Sequence, residues 1–171
     1  MLNRILAVFN GSSRHVFLFI SAACFCMLGF GLLLQQRFGL EPCPMCIVQR
    51  YALLFIAIVA LLAGSIGKNK VYFSAWMLLL VGAGFGAFVA ARQSWLQWYP
   101  PQVATCGRDF YGMIENFPLN RVVPMIFKGS GDCSAVDWTF LGGSIANWSF
   151  LSFMLFAAIA MRMLWRMVKQ R

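Results

Sequence analysis

Residues 47–66 read IVQRYALLFIAIVALLAGSI, a run strongly polar only at its start, at Gln49 and Arg50, and long enough to cross a bilayer as one helix. Three more apolar runs flank it. With it they predict spans at about 16–35, 47–66, 71–91 and 145–162; the last is short, and Arg162 can snorkel outward to extend it. The 171 residues are 61% hydrophobic and 11% charged, with a mean hydropathy of +0.74. A soluble fold of this length cannot hide that much apolar surface. The expected class is an all-α membrane protein, a single integral domain over 1–171 built as a bundle of four transmembrane helices. The net charge of +9 does not point to nucleic acid, because the basic residues are scattered over loops and tails without a basic stripe.

Four spans leave two segments on one side, about 36–46 and 92–144, and both termini on the other with the turn at Lys68–Lys70. The terminal side carries Arg4, Arg14, Lys68, Lys70, Arg162, Arg166, Lys169 and Arg171. The loop side carries Arg37, Arg50, Arg92, Arg108, Arg121 and Lys128. The excess predicts cytoplasmic termini. All five acidic residues fall on the loop side, which agrees in sign although acids weigh little. Trp95, Trp98, Tyr99 and Trp148 are expected at the outer membrane interface, and Tyr72, Trp76 and Trp165 at the inner one.

Four of the six cysteines lie outside the apolar runs, all on the loop side and in two pairs. Disulfides persist in oxidising compartments, so their position also argues that this side faces out. Cys43-Pro44-Met45-Cys46 immediately precedes the second span. Pro44 suits a first helical position, where its missing N–H costs nothing. Cys46 then lies in the first turn, where the positive end of the helix dipole stabilises a thiolate. Arg50 follows at i+4, on the same face and one turn deeper. A cation there can stabilise a thiolate or hold an electron-rich ligand, or it can serve only as an interfacial anchor. The local chemistry favours a functional site; a plain structural disulfide, or one half of a four-cysteine metal site, is the lesser alternative, since metal motifs usually pair two close-spaced cysteine doublets.

Cys106 and Cys133 bracket part of the long loop, which Pro100-Pro101, Gly107, Pro118, Pro124 and Gly129-Ser130-Gly131 punctuate. A bridge between them would stabilise that loop by about 3–4 kcal/mol if structural. In a mobile loop it would instead be open to attack by an outside thiolate. Val122, Val123, Met125, Ile126 and Phe127, flanked by Arg121 and Lys128, predict a short interfacial helix on the membrane or a small loop core. Cys24 and Cys26 fall inside the first span and read as small core hydrophobes; His15 reads as an interface residue. Gly82 and Gly86 give the small-xxx-small spacing of close helix packing.

Together, Pro42-Cys43-Pro44-Met45-Cys46 with Gln49-Arg50, Trp95-Leu96-Gln97 with Tyr99-Pro100, Cys106, and Ser130-Gly131-Asp132-Cys133 followed by Trp138, Phe140 and Leu141 resemble the DsbB family of disulfide-forming membrane enzymes, over nearly the whole chain. The resemblance implies an enzyme of the bacterial inner membrane that reoxidises a DsbA-like periplasmic thiol oxidase and hands the electrons to a quinone, ubiquinone or menaquinone, from the membrane pool, without a metal; the DsbA–DsbB–quinone route is a known one. Carried over by position, Cys106 receives the partner's thiolate, Cys133 is released to attack Cys43, and Cys46 faces the quinone. Arg50 supplies a cation beside the quinone and Gln97 matches a position near it. Gln93 stands where many members have histidine, and an acidic residue can occur at Gln49; these two departures leave the route of the proton open. A membrane metal-binding protein using the four cysteines, a structural protein with two plain disulfides, and a related oxidase serving one dedicated partner are the competing expectations.

Overall fold

The computed structural model describes residues 13–39, 43–67, 69–99 and 139–169. Cys106, Cys133 and the expected interfacial helix near 121–128 lie outside the described residues. Four helices dominate: α1 Ser13–Phe38, α2 Pro44–Ile66, α3 Asn69–Trp98 and α4 Ile145–Lys169. Each contains a stretch long and apolar enough to cross a membrane. The helices pack in chain order, α1 on α2, α2 on α3 and α3 on α4. Their outer faces carry large exposed apolar side chains such as Phe19, Leu33, Val81, Phe88 and Leu155. An apolar exterior around an apolar core is what a hydrocarbon solvent permits and water does not.

The core is assembled from small residues facing large ones. Ala57, Ala60 and Ala83 are fully buried beside Phe17, Ile56 and Phe153. The glycine spacing at Gly82 and Gly86 serves two different neighbours. A β-carbon on Gly82 would stand 2.9 Å from the Phe55 ring and 3.3 Å from Ile56, both on α2; one on Gly86 would collide with the Phe153 ring of α4. The middle of α3 is thus wedged between two helices, and its small residues set the approach of both. Ser21 Oγ adds a buried hydrogen bond to the Ala57 carbonyl at 3.0 Å, tying α1 to α2.

Several expectations shift. Tyr72 and Trp76 are not interface anchors: both are buried, and Phe17 stacks on Trp76 with ring centroids 3.9 Å apart. Trp165 does stand exposed, as do Trp95, Trp98 and Tyr99. Cys24 is buried in the core as expected, whereas Cys26, two residues on, points to the outer face. The third helix does not stop at Ala91 but continues to Trp98, carrying residues expected in the loop. Residues 139–144, also expected in the loop, form a small hairpin of β1 Thr139–Phe140 and β2 Gly143–Ser144. Its turn places Leu141 at φ 50° and Gly142 at φ 79°, both left-handed, as the tightest hairpin turns require.

Candidate functional site

The start of α2 explains itself from its first residues. Cys43 is the N-cap, with extended backbone, and Pro44 opens the helix. The Cys43 sulfur accepts a hydrogen bond from the Cys46 backbone N–H at 3.3 Å, and the Cys43 carbonyl accepts from Ile47 N–H at 3.1 Å. Cys46 lies in the first turn as expected. The N-terminal N–H group, however, is aimed at the Cys43 sulfur, so the helix end serves both cysteines rather than Cys46 alone. The two Sγ atoms stand 2.7 Å apart. Cys43 is buried and Cys46 half-buried, packed with Met45, Val48, Val89 and Leu96.

The polar residues at the end of α3 close this site. Gln93 Nε2 donates to Cys43 Sγ at 3.3 Å and to Cys46 Sγ at 3.2 Å. Gln93 Oε1 accepts from Gln49 Nε2 at 2.6 Å, and both glutamines are buried. One turn on, Gln97 Oε1 accepts from Ser144 Oγ at 2.6 Å. Ser144 in turn caps α4, accepting from Asn147 N–H at 3.4 Å. The extension of α3 beyond Ala91 is therefore what carries two candidate residues into place.

Arg50 is anchored on α1. Its Nη1 donates to Gln35 Oε1 at 2.8 Å, and its Nη2 to the Gly31 carbonyl at 3.5 Å, both on α1. A β-carbon at residue 31 would lie 3.9 Å from Nη2, so Gly31 leaves the guanidinium room to reach that carbonyl. Gln35 and Ser144 were not singled out from sequence. Gln35 reads there as the last residue of the first span, and Ser144 as a loop end. These contacts gather the last turns of α1 and α3 and the first turns of α2 and α4 at one end of the bundle, around the Cys43/Cys46 pair.

A family model described as "Disulfide bond formation protein DsbB" matches residues 13–163. The chain belongs to the DsbB family. Two relatives agree over nearly the full length. The disulfide bond formation protein B of Acidovorax sp. (strain JS42) is 65% identical over 153 residues, covering 90% of this chain and 88% of the relative. That of Albidiferax ferrireducens is 60% identical over 162 residues, covering 95% and 93%. The DsbB match spans all four helices and the cysteine-bearing segments between them.

Proposed function

We propose that the chain is a protein-disulfide oxidoreductase that reoxidises a DsbA-like periplasmic thiol oxidase and delivers the electrons to a membrane quinone. The observation that carries this reading is the Cys43/Cys46 pair: two sulfurs 2.7 Å apart at a helix start, held by an amide that donates to both, in a member of a disulfide-forming family. Bringing two sulfurs to this separation on one rigid turn removes most of the cost of closing a disulfide between them.

The exchange steps follow from thiolate chemistry. A partner thiolate attacks Cys106 of a Cys106–Cys133 disulfide; that bond breaks and Cys133 leaves with the electron pair. Cys133 attacks Cys43, and Cys46 leaves as a thiolate. The partner's second thiolate then attacks its own mixed disulfide, releasing Cys106, and Cys106 attacks Cys133 to free Cys43. The partner has lost two electrons, and Cys43 and Cys46 have gained them. The N-terminal N–H groups of α2 and the Gln93 amide stabilise charge on these sulfurs as it develops.

A quinone fits the chemistry of this end of the bundle. Arg50 offers a cation held by α1, Gln97 offers amide N–H donors because Ser144 already occupies its oxygen, and Met45, Val89 and Leu96 supply apolar surface. Arg50 and Gln97 would hold the ring oxygens, with Gln49 and Gln93 behind the sulfurs. A quinone so bound accepts two electrons, matching one disulfide per turnover. The redox segments face the periplasm and both termini the cytoplasm.

Thiol trapping in native membranes tests the path. In Cys106→Ser the soluble partner should accumulate reduced while the Cys43–Cys46 bridge still forms. Normal oxidation of the partner in that variant would contradict the proposed sequence of exchanges.

A further inference from the structure

The Gln93 amide nitrogen faces both sulfurs, at 3.3 and 3.2 Å, and its oxygen takes the 2.6 Å bond from Gln49. A glutamine amide can be inserted either way round, with oxygen or nitrogen toward the sulfurs. The two ends have opposite effects on a sulfur that carries charge, because a thiolate accepts hydrogen bonds and is repelled by a carbonyl oxygen. Gln49 donates its N–H to the Gln93 oxygen, an arrangement that leaves the Gln93 nitrogen toward the cysteines. Both glutamines are buried, where a polar group turned the wrong way leaves unmade hydrogen bonds that water cannot repair.

We propose that Gln93 is a neutral amide clamp that favours the reduced form of the Cys43/Cys46 pair, and that Gln49 is the positioning residue that fixes its polarity. The inference rests on the reading of Cys43 and Cys46 as a redox pair. Reduction breaks the S–S bond and places two electrons on the sulfurs, with protons following from solvent. The clamp acts on that product and has nothing comparable to bind in the disulfide. It makes the pair a stronger oxidant toward the incoming thiolate, and it does so without burying a further charge.

The test measures the reduction potential of the pair in the purified full-length chain carrying Cys106→Ser and Cys133→Ser. The protein is equilibrated with mixtures of dithiothreitol and its cyclic disulfide, which supply and remove two electrons and two protons, and the thiols are counted by alkylation and mass. Gln93→Leu should shift the equilibrium about tenfold toward the disulfide, or about 30 mV more negative for a two-electron couple. Gln93→Met, of similar length, should shift it the same way and stands in if the leucine variant does not fold. Gln49→Leu should shift it in the same sense by less. Combined with either Gln93 variant it should add nothing, since Gln49 acts only through Gln93. A wild-type potential in the Gln93 variants overturns the clamp. An equal Gln49→Leu shift with and without Gln93 overturns the positioning role. A pair that no buffer can oxidise contradicts the redox reading itself and the inference with it.

Discussion

Gln35→Leu isolates the anchoring of Arg50 without touching the arginine. Of the two hydrogen bonds that tie the guanidinium to α1, the one to Gln35 Oε1 is short at 2.8 Å, and the one to the Gly31 carbonyl is at the outer limit at 3.5 Å. Gln35 is therefore the main tether. A hydrogen bond to a charged group contributes about 1.5–3 kcal/mol. Arg50 is only half-buried, so water recovers part of the loss, and about 1–2 kcal/mol is a fair expectation. At 1.36 kcal/mol per factor of ten, that is roughly 5- to 30-fold. If Arg50 binds the quinone, the loss falls on KM for quinone, and kcat changes by about twofold or less. Initial rates with a reduced partner and varied quinone, in detergent or liposomes, measure both parameters. Arg50→Ala should raise KM at least as much while the protein still assembles, and Gln35→Leu should add little on that background. A quinone KM unchanged in Gln35→Leu, or a full effect surviving in the absence of Arg50, would refute the tether.

Two further outcomes follow from packing. Gly86→Ala should destabilise the bundle by about 1–3 kcal/mol, because the added methyl collides with the fully buried Phe153 ring, whereas Gly84→Ala meets nothing within 4 Å and should be neutral. Reversible unfolding in mixed detergent distinguishes them, and equal stabilities would remove Gly86 from the α3–α4 contact. Leu141→Asn should tighten the hairpin by up to about 1 kcal/mol, since asparagine tolerates the left-handed backbone better than leucine and the Leu141 side chain is 81% exposed. Amide exchange across residues 139–144 reads this; slower exchange is expected, and faster exchange would mean that the leucine side chain makes a contact the hairpin needs.

The four helices and the start of α2 were legible because each has a local cause: apolar length for the spans and Pro44 for the first helical position; the role of Cys43 as cap emerged only with the structure. The end of α3 was not. Arg92, Gln93, Ser94 and Gln97 look like a loop by polarity, yet Val89, Gln93 and Leu96 keep the helical period and form one buried face. A polar face inside a bundle end reads as loop unless its partners are known, and those partners, Gln49 and the two sulfurs, lie 44 to 50 positions away. Tyr72 and Trp76 were assigned to the interface by residue type, but helix rotation turns them onto Phe17. The same dependence on rotation hid Gln35 from view as the partner of Arg50. The hairpin escaped notice because two-residue strands carry no alternation, and its turn places a leucine where glycine or asparagine would signal it.

The central claim is that electrons from the soluble partner leave through Cys43 and Cys46. Its most direct test follows quinone absorbance and partner thiols together in liposomes containing the purified chain, with Cys46→Ser beside wild type. Wild type should reduce one quinone per partner disulfide formed. Cys46→Ser should show no catalytic quinone reduction and should form at most one partner disulfide per chain, from the Cys106–Cys133 bridge. Quinone reduction by Cys46→Ser at the wild-type rate would contradict the claim.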